Sequence, residues 1–364
     1  MKRNKIINSF MPKYSITNII NKSLVEIERV RGFLDAIELR KDSFSEMQKE
    51  TLMRESHYST HIEGTLLSLD KAKDIIEGKK IKTIRIDDKK ELLNYKNAMD
   101  YISTQLGKNN SINEKMILAL HKVLVRGSKA HPGNYRKTQN YVVNSRTNEV
   151  IYTPPKPREV PQLMKQFTEW LKTTKDISPV LIAGIAQFQC VHIHPFVDGN
   201  GRAARVLSTL ILYQMGYDFK KLFSISEYYD KDRPKYYQAI QSVRDNNMDM
   251  TAWLEYFIEG LRSQMLEIQK KGTQIINAEK AVEKISAFTL NPRQQQIFKY
   301  LLLNKEINND KCQNLCKSIK RTATRDLALM VKLAILDKRG EKKGTYYVLS
   351  QNIVAIMRDI KGQQ

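Results

Sequence analysis

Residues 194–205 read His194-Pro195-Phe196-Val197-Asp198-Gly199-Asn200-Gly201-Arg202-Ala203-Ala204-Arg205. An apolar run from Pro179 to Gln187 leads in and another from Ala203 to Met215 leads out, the pattern of helix, tight loop, helix. The second helix is expected to begin near Asn200 or Gly201. Its free N–H groups and dipole then face the loop, an arrangement suited to phosphate. Arg202 and Arg205, three apart, are expected to project from one face of that first turn toward the same anion. Asp198 is a hard oxygen ligand one residue before the glycine, suited to a Mg²⁺ that keeps most of its waters. His194 would take a proton from an incoming hydroxyl near neutral pH, and Phe196 would anchor the loop in the core. No Gly-x-x-x-x-Gly-Lys-Ser/Thr occurs, so a nucleotide would be held otherwise than in a Walker loop.

The stretch resembles the Fic family signature, His-x-Phe-x-Asp/Glu-Gly-Asn-Gly-Arg-x-x-Arg, at every specified position. The resemblance implies transfer of AMP from ATP to a Ser, Thr or Tyr hydroxyl of a protein target, or of the chain itself. By the same resemblance His194 is the base and Asp198 the Mg²⁺ ligand. Gly199, Asn200 and Gly201 form the anion cradle, Arg202 meets the phosphates, and Arg205 binds the γ-phosphate. Relatives also move UMP, phosphocholine or phosphate, so the donor is open.

Upstream, Ser59-Thr60-His61-Ile62-Glu63-Gly64 resembles the family's inhibitory motif, Ser/Thr-x-x-x-Glu-Gly/Asn. The resemblance implies that Glu63 pairs with Arg205. A carboxylate there would occupy the guanidinium meant for the γ-phosphate and would repel phosphate. The same six residues also fit an ordinary helical turn ended by Gly64.

Tyr141 to Pro155 has a different texture: Tyr-Val-Val, a polar turn from Asn144 to Asn148, then Val-Ile-Tyr-Thr and Pro154-Pro155. This predicts a short β-hairpin. In the family a flap in this position pairs with the target segment by strand addition.

The chain has 364 residues and a formal net charge of +22, enough length for two or three domains. No apolar run approaches a membrane span and no signal-peptide-like segment opens the sequence, so a cytoplasmic protein without membrane attachment is expected. Cys190, Cys312 and Cys316 make no disulfide framework and no zinc pattern. The expected fold is mainly α: an N-terminal helical segment with the inhibitory motif (1–87), a Fic-type helical core with its hairpin flap (88–260), a connecting helix (261–285) and a small winged helix-turn-helix domain (286–364).

In that last segment, helices are expected from Asn291 through Leu303, over Asp310 to Cys316, and from near Lys320, followed by a hairpin through Leu336 and Thr345–Leu349. From 284 to 364 there are 16 Lys and Arg against 6 Asp and Glu, a net of +10 within the chain's +22. Arg321, Thr322, Thr324 and Arg325 open the expected recognition helix, where contacts to DNA would arise. Winged helices also dock proteins, and many Fic relatives dimerise, so a homodimer is a further expectation. Two functions are therefore carried forward: an adenylyltransferase restrained by Glu63, and a DNA-binding regulator whose Fic core senses nucleotide or modifies itself.

Overall fold

The computed structural model describes residues 9–37, 41–81, 84–104, 112–143, 147–174, 176–286, 290–351 and 353–354, without the side chains of 42, 278–286 and 343. Residues 144–146 of the expected flap turn lie outside these. The chain divides into two compact units, Met1–Gln269 and Lys270–Gln364. The helix expected over 261–285 is the later part of a single helix, Thr251–Ser286, because the apolar periodicity begun at Trp253 continues through Leu261, Met265 and Ile268. No helix of the described residues is long and apolar enough to cross a membrane.

The first unit is helical apart from the flap. Its elements are α1 (Asn18–Ala36), α2 (Lys41–Ile62), α3 (Leu69–Ile76), α4 (Ile86–Thr104), α5 (Glu114–Leu124), β1 (Val142–Val143), β2 (Val150–Tyr152), α6 (Val160–Thr173), α7 (Pro179–Ile193), α8 (Asn200–Gln214), α9 (Ile225–Lys231), α10 (Arg233–Asp245) and α11 (Thr251–Ser286). Helices α7 and α8 form its centre. Residues Val180 to Cys190 are buried without interruption, as expected of a largely apolar helix, and so are Arg202 to Tyr213, although that run carries two arginines. Pro179 starts α7, where a missing N–H costs nothing. Gly184 admits α11: a Cβ there would lie 2.9 Å from Leu254 and Phe257, and Trp253 Nε1 donates to the Gly184 carbonyl at 2.8 Å.

Helix α2 is fixed by polar bonds. The buried Glu55 carboxylate accepts from Tyr95 Oη (2.8 Å), Ser224 Oγ (3.0 Å), Ser226 N (3.0 Å) and Ser226 Oγ. Arg54 Nε donates to Glu227 at 2.8 Å in a forked pair. With every lone pair used, Glu55 joins α2 to α4 and to the start of α9. That join sets the position of Ser59 and Glu63 one and two turns later. The flap strands β1 and β2 are antiparallel, Val142 opposite Tyr152 and Val143 opposite Val150, with Val143, Val150 and Ile151 about half exposed.

The second unit begins its compact core at α12 (Pro292–Leu303), capped by Asn291 and Gln294 in a reciprocal box. It continues through β3 (Ile307–Asn308), α13 (Asn309–Cys316), α14 (Lys320–Lys332), β4 (Leu336–Arg339) and β5 (Tyr346–Leu349). The strands make an antiparallel sheet in the order β3-β5-β4. Ile297, Phe298, Leu301, Leu327, Met330 and Leu336 fill the core. Strand β3 is the element the sequence did not announce. Gly340 turns β4 toward β5 at φ 68°, where any Cβ would strike the Gly344 carbonyl.

Candidate active site

The loop between α7 and α8 is held by its own side chains. Helix α7 ends because His194 adopts the left-handed conformation (φ 52°, ψ 57°) and Pro195 follows without an N–H. Asn200 closes the loop from the other side: its Oδ1 accepts from Phe196 N and its Nδ2 donates to Phe196 O, both at 2.9 Å. The Asn200 side chain is thus consumed by the loop, which leaves its backbone N–H as the group free for a ligand. Phe196 is fully buried and stacks on His121, ring centroids 3.6 Å apart. His121 Nε2 donates to the Asp198 carbonyl at 3.0 Å while its Nδ1 accepts from Gly133 N at 3.1 Å. Both bonds require the neutral ring, and burial pushes its pKa down to about 4.

Gly199 has φ 79° and faces Val125, whose Cγ1 would be 2.7 Å from an added Cβ, so only glycine fits. The first intrahelical bond of α8 runs from Ala203 N to Gly199 O at 2.9 Å. The N–H groups of Asn200, Gly201 and Arg202 precede it and have no intrahelical acceptor.

His194 is half-buried, and burial pushes its pKa down to about 4, against a smaller raising effect of its bond to Val191 O. Its Nδ1 lies 3.3 Å from that carbonyl, which only accepts. Nδ1 therefore carries the proton and Nε2 keeps its lone pair at pH 7, as a general base requires.

The two arginines hold different protein groups. Arg205, 1% exposed, donates from Nε to Ser59 Oγ (2.7 Å) and from one Nη to both Ser59 O (2.9 Å) and Glu63 Oε1 (2.7 Å). Burial, the largest single influence, lowers its pKa, but Glu63, Tyr236 and Tyr95 together more than offset it and the guanidinium stays protonated. Arg202, 3% exposed, bonds Glu91 Oε2 (2.9 Å) and Asp198 Oδ2 (3.1 Å). A carboxylate from elsewhere in the chain thus reaches each arginine, Glu63 from just past α2 and Glu91 from α4. Burial raises the Glu91 pKa, with Arg202 opposing.

Glu63 follows the last turn of α2, where Gly64 at φ 107° turns the chain. Its carboxylate lies over Gly201, so close that a Cβ at 201 would overlap Oε1. Glu63, Glu91, Asp198 and Arg202 line an open cavity of about 590 Å³. The Asp198 side chain is 61% exposed there, and its other oxygen accepts from Gly199 N at 2.6 Å.

The structure thus gathers His194, Asp198, Gly199, Asn200, Gly201, Arg202, Arg205, Ser59, Glu63 and Gly64 at one site. Arg321, Thr322, Thr324 and Arg325 lie on α14 of the second unit; Arg321, Thr324 and Arg325 are exposed and Thr322 is half-buried. The sequence reading missed His121, Glu91, Arg136, Asn140 and Tyr152. Arg136 Nε donates to His194 O at 2.8 Å, and Asn140 Nδ2 donates to Phe196 O at 2.9 Å. Tyr152, at the end of β2, donates to His192 O at 2.7 Å with Arg244 stacked 3.5 Å from its ring centroid. Only the Pro132-Gly133 turn and the flap gave a local signal for these.

A mainly helical scaffold thus brings a helix start, two buried arginines and a neutral histidine together around the α7–α8 loop. Residues 111–212 match the Fic/DOC family. It is similar to proteins named protein adenylyltransferase Fic. That of Drosophila grimshawi is 32% identical over 206 residues, 56% of this chain and 41% of the relative. That of Culex quinquefasciatus is 29% identical over 238 residues, 64% of this chain and 45% of the relative. The chain spans less than half the length of these relatives. Among solved structures, a Fic family protein from Desulfovibrio desulfuricans has the same fold (TM-score 0.68, 20% identity) over 94% of this chain and 99% of that one. A Fic domain containing signaling protein from Bacteroides thetaiotaomicron matches at TM-score 0.57 and 22% identity, over 70% of this chain and 95% of that one.

Proposed function

We propose that this chain is a protein adenylyltransferase that moves AMP from ATP onto a hydroxyl of a protein target or of itself, and that Glu63 restrains it. The observation that carries the reading is Arg205 bound to Ser59 and Glu63 at the start of α8, in the same site as a neutral His194. The hydroxyl oxygen forms its bond to the α-phosphorus as His194 Nε2 takes its proton. The bond from that phosphorus to the bridging oxygen of the β-phosphate breaks, and pyrophosphate leaves with the electron pair. The N–H groups opening α8 and the two guanidiniums would hold the charge on the phosphates, where fixed donors count most.

Asp198 suits Mg²⁺: one exposed carboxylate, with no cluster of three ligating side chains among the described residues, fits an ion that completes its shell with phosphate and water. When bound, the ion would neutralise charge on the phosphates. Glu63 restrains the reaction because its carboxylate takes the Arg205 Nη and overlies Gly201.

The test supplies α-labelled ATP and Mg²⁺ to the wild type, Glu63→Gly, and Glu63→Gly with His194→Ala, and reads label in protein by gel and intact mass. Label should rise in the single variant and vanish in the double. Equal labelling of wild type and Glu63→Gly would defeat the restraint, and no label in any variant would defeat the transferase.

A second activity has its own support. The order of α12 to β5 is consistent with a winged helix, and α14 opens with Lys320, Arg321, Thr324 and Arg325 on its exposed face, in a segment of net +10. We propose that this unit binds duplex DNA through α14, with Arg339 and Lys342 beside the β4–β5 turn on the backbone. A salt-dependent mobility shift, lost in Arg321→Ala/Arg325→Ala, is expected; no shift at low salt would refute it.

A further inference from the structure

Arg136 is a buried cation, 2% exposed, with no carboxylate partner among the described residues. All of its bonds go to main-chain carbonyls. Nε donates to His194 O (2.8 Å), one Nη to Thr138 O (3.2 Å), the other Nη to Pro155 O, and its own N–H to Pro195 O (2.9 Å). A charge held this way costs more to bury than a paired one, so the fork is retained for what it joins. It joins three segments. One is the left-handed turn at His194, a conformation that a residue with a β-carbon adopts only where its surroundings impose it. The second is the chain that enters β1, where Gln139 Nε2 also donates to Pro154 O (3.0 Å) and Asn140 to Phe196 O. The third is Pro155, just past the end of β2.

We infer that Arg136 is a positioning residue that holds the His194 ring and the base of the flap in one fixed relation, so that a segment paired to the flap presents its hydroxyl to Nε2. The activity side of this inference rests on the transferase reading. A planar fork can satisfy three carbonyls from three directions, which an ammonium cannot do in the same place. The guanidinium also adds positive charge beside the His194 ring and so favours its neutral form. The other charged groups acting on that ring are Arg244, in the same sense, and Glu63, in the opposite sense.

The substitutions Arg136→Lys and Arg136→Gln separate geometry from charge. Two readouts are taken on the full chain: the titration midpoint of the His194 ring by NMR, assigned against His194→Ala, and incorporation of α-labelled AMP with Glu63→Gly in the background. In Arg136→Gln the midpoint should move upward, on the order of half a pH unit. In Arg136→Lys it should stay. Labelling should fall about tenfold or more in both, because both lose the fork. A folded Arg136→Gln with an unmoved midpoint and undiminished labelling overturns the inference. If Arg136→Gln does not fold, Arg136→Lys decides alone: full labelling overturns the inference and reduced labelling with an unmoved midpoint supports it. If the Glu63→Gly parent takes no label, the transferase reading falls, and the titration still decides whether Arg136 sets the histidine.

Discussion

Two helices of this chain begin on positive charge and treat it in opposite ways. At the start of α8, Arg202 and Arg205 are at most 3% exposed, and each is met by a carboxylate brought from a distant part of the chain. At the start of α14, Lys320, Arg321 and Arg325 stand in solvent. The first arrangement suits one discrete anion in one geometry, because buried guanidiniums cannot follow a ligand that shifts. The second suits a long, repetitive polyanion, where affinity comes from charge and released counterions. The same residue types give a site in one place and a surface in the other, and burial decides which.

That contrast can be broken at several points. The largest effect is expected at His194: in the Glu63→Gly background, His194→Ala should cost about 10²–10⁴-fold in AMP transfer while leaving duplex binding untouched. A comparable loss of DNA binding would mean the two activities are not separable.

Acid should distinguish the units next. Burial pushes His57, His121, His192 and His194 each down to about 4 from an ordinary 6.5. All six histidines precede residue 200. Between pH 6.5 and 4 the unfolded first unit binds protons that the folded one does not, so its stability falls as pH falls through that window and is full above it. Both tryptophans, Trp170 and Trp253, belong to the same unit. Urea unfolding followed by their fluorescence should show a lower midpoint at pH 5 than at pH 7, with a smaller change in amide exchange of the second unit. An unchanged midpoint would contradict the buried neutral rings.

Releasing Glu63 comes third, with Glu63→Gly expected to raise labelling about ten- to a hundredfold. The variant should also gain more thermal stability from added ATP than the wild type, since ligand binding adds to the folded state by mass action. On α14, Arg321→Ala/Arg325→Ala should weaken duplex binding roughly tenfold at low salt and flatten its dependence on salt, while labelling persists. The smallest effect is expected from Tyr152→Phe, which removes the bond to His192 and keeps the ring beneath Arg244. A loss of about 0.5–1.5 kcal/mol in unfolding free energy is expected. A collapse of folding would mean that the hydroxyl holds much more than the flap.

The loop from His194 to Arg205 could be read from the sequence because its roles are local: a left-handed turn, a glycine, a helix start and side chains at helical spacing. Glu63 was readable only through a motif, and its partner lies 142 residues away. Nothing local marks Arg136, whose acceptor at His194 is 58 residues off, or Glu91, 111 residues from Arg202. Charged residues of those types also occur throughout the exposed surface of the chain. The carboxylates that meet the two arginines were hidden for the same reason, since they arrive from just past α2 and from α4. Strand β3 escaped notice because two residues carry no periodicity. The helix over 261–285 was visible, yet its beginning was not, because no cap or breaker interrupts Thr251–Ser286.

The Glu63 carboxylate rests where Gly201 has no side chain, and this makes the two ends of the contact unequal under mutation. Alanine at 201 and glycine at 63 are each one base change away in the genetic code. On the proposed function, the first would evict the carboxylate but crowd the phosphate cradle, trading restraint for a damaged enzyme. The second empties the space and leaves the cradle whole. Unrestrained alleles of this gene should therefore arise at codon 63 and not at codon 201.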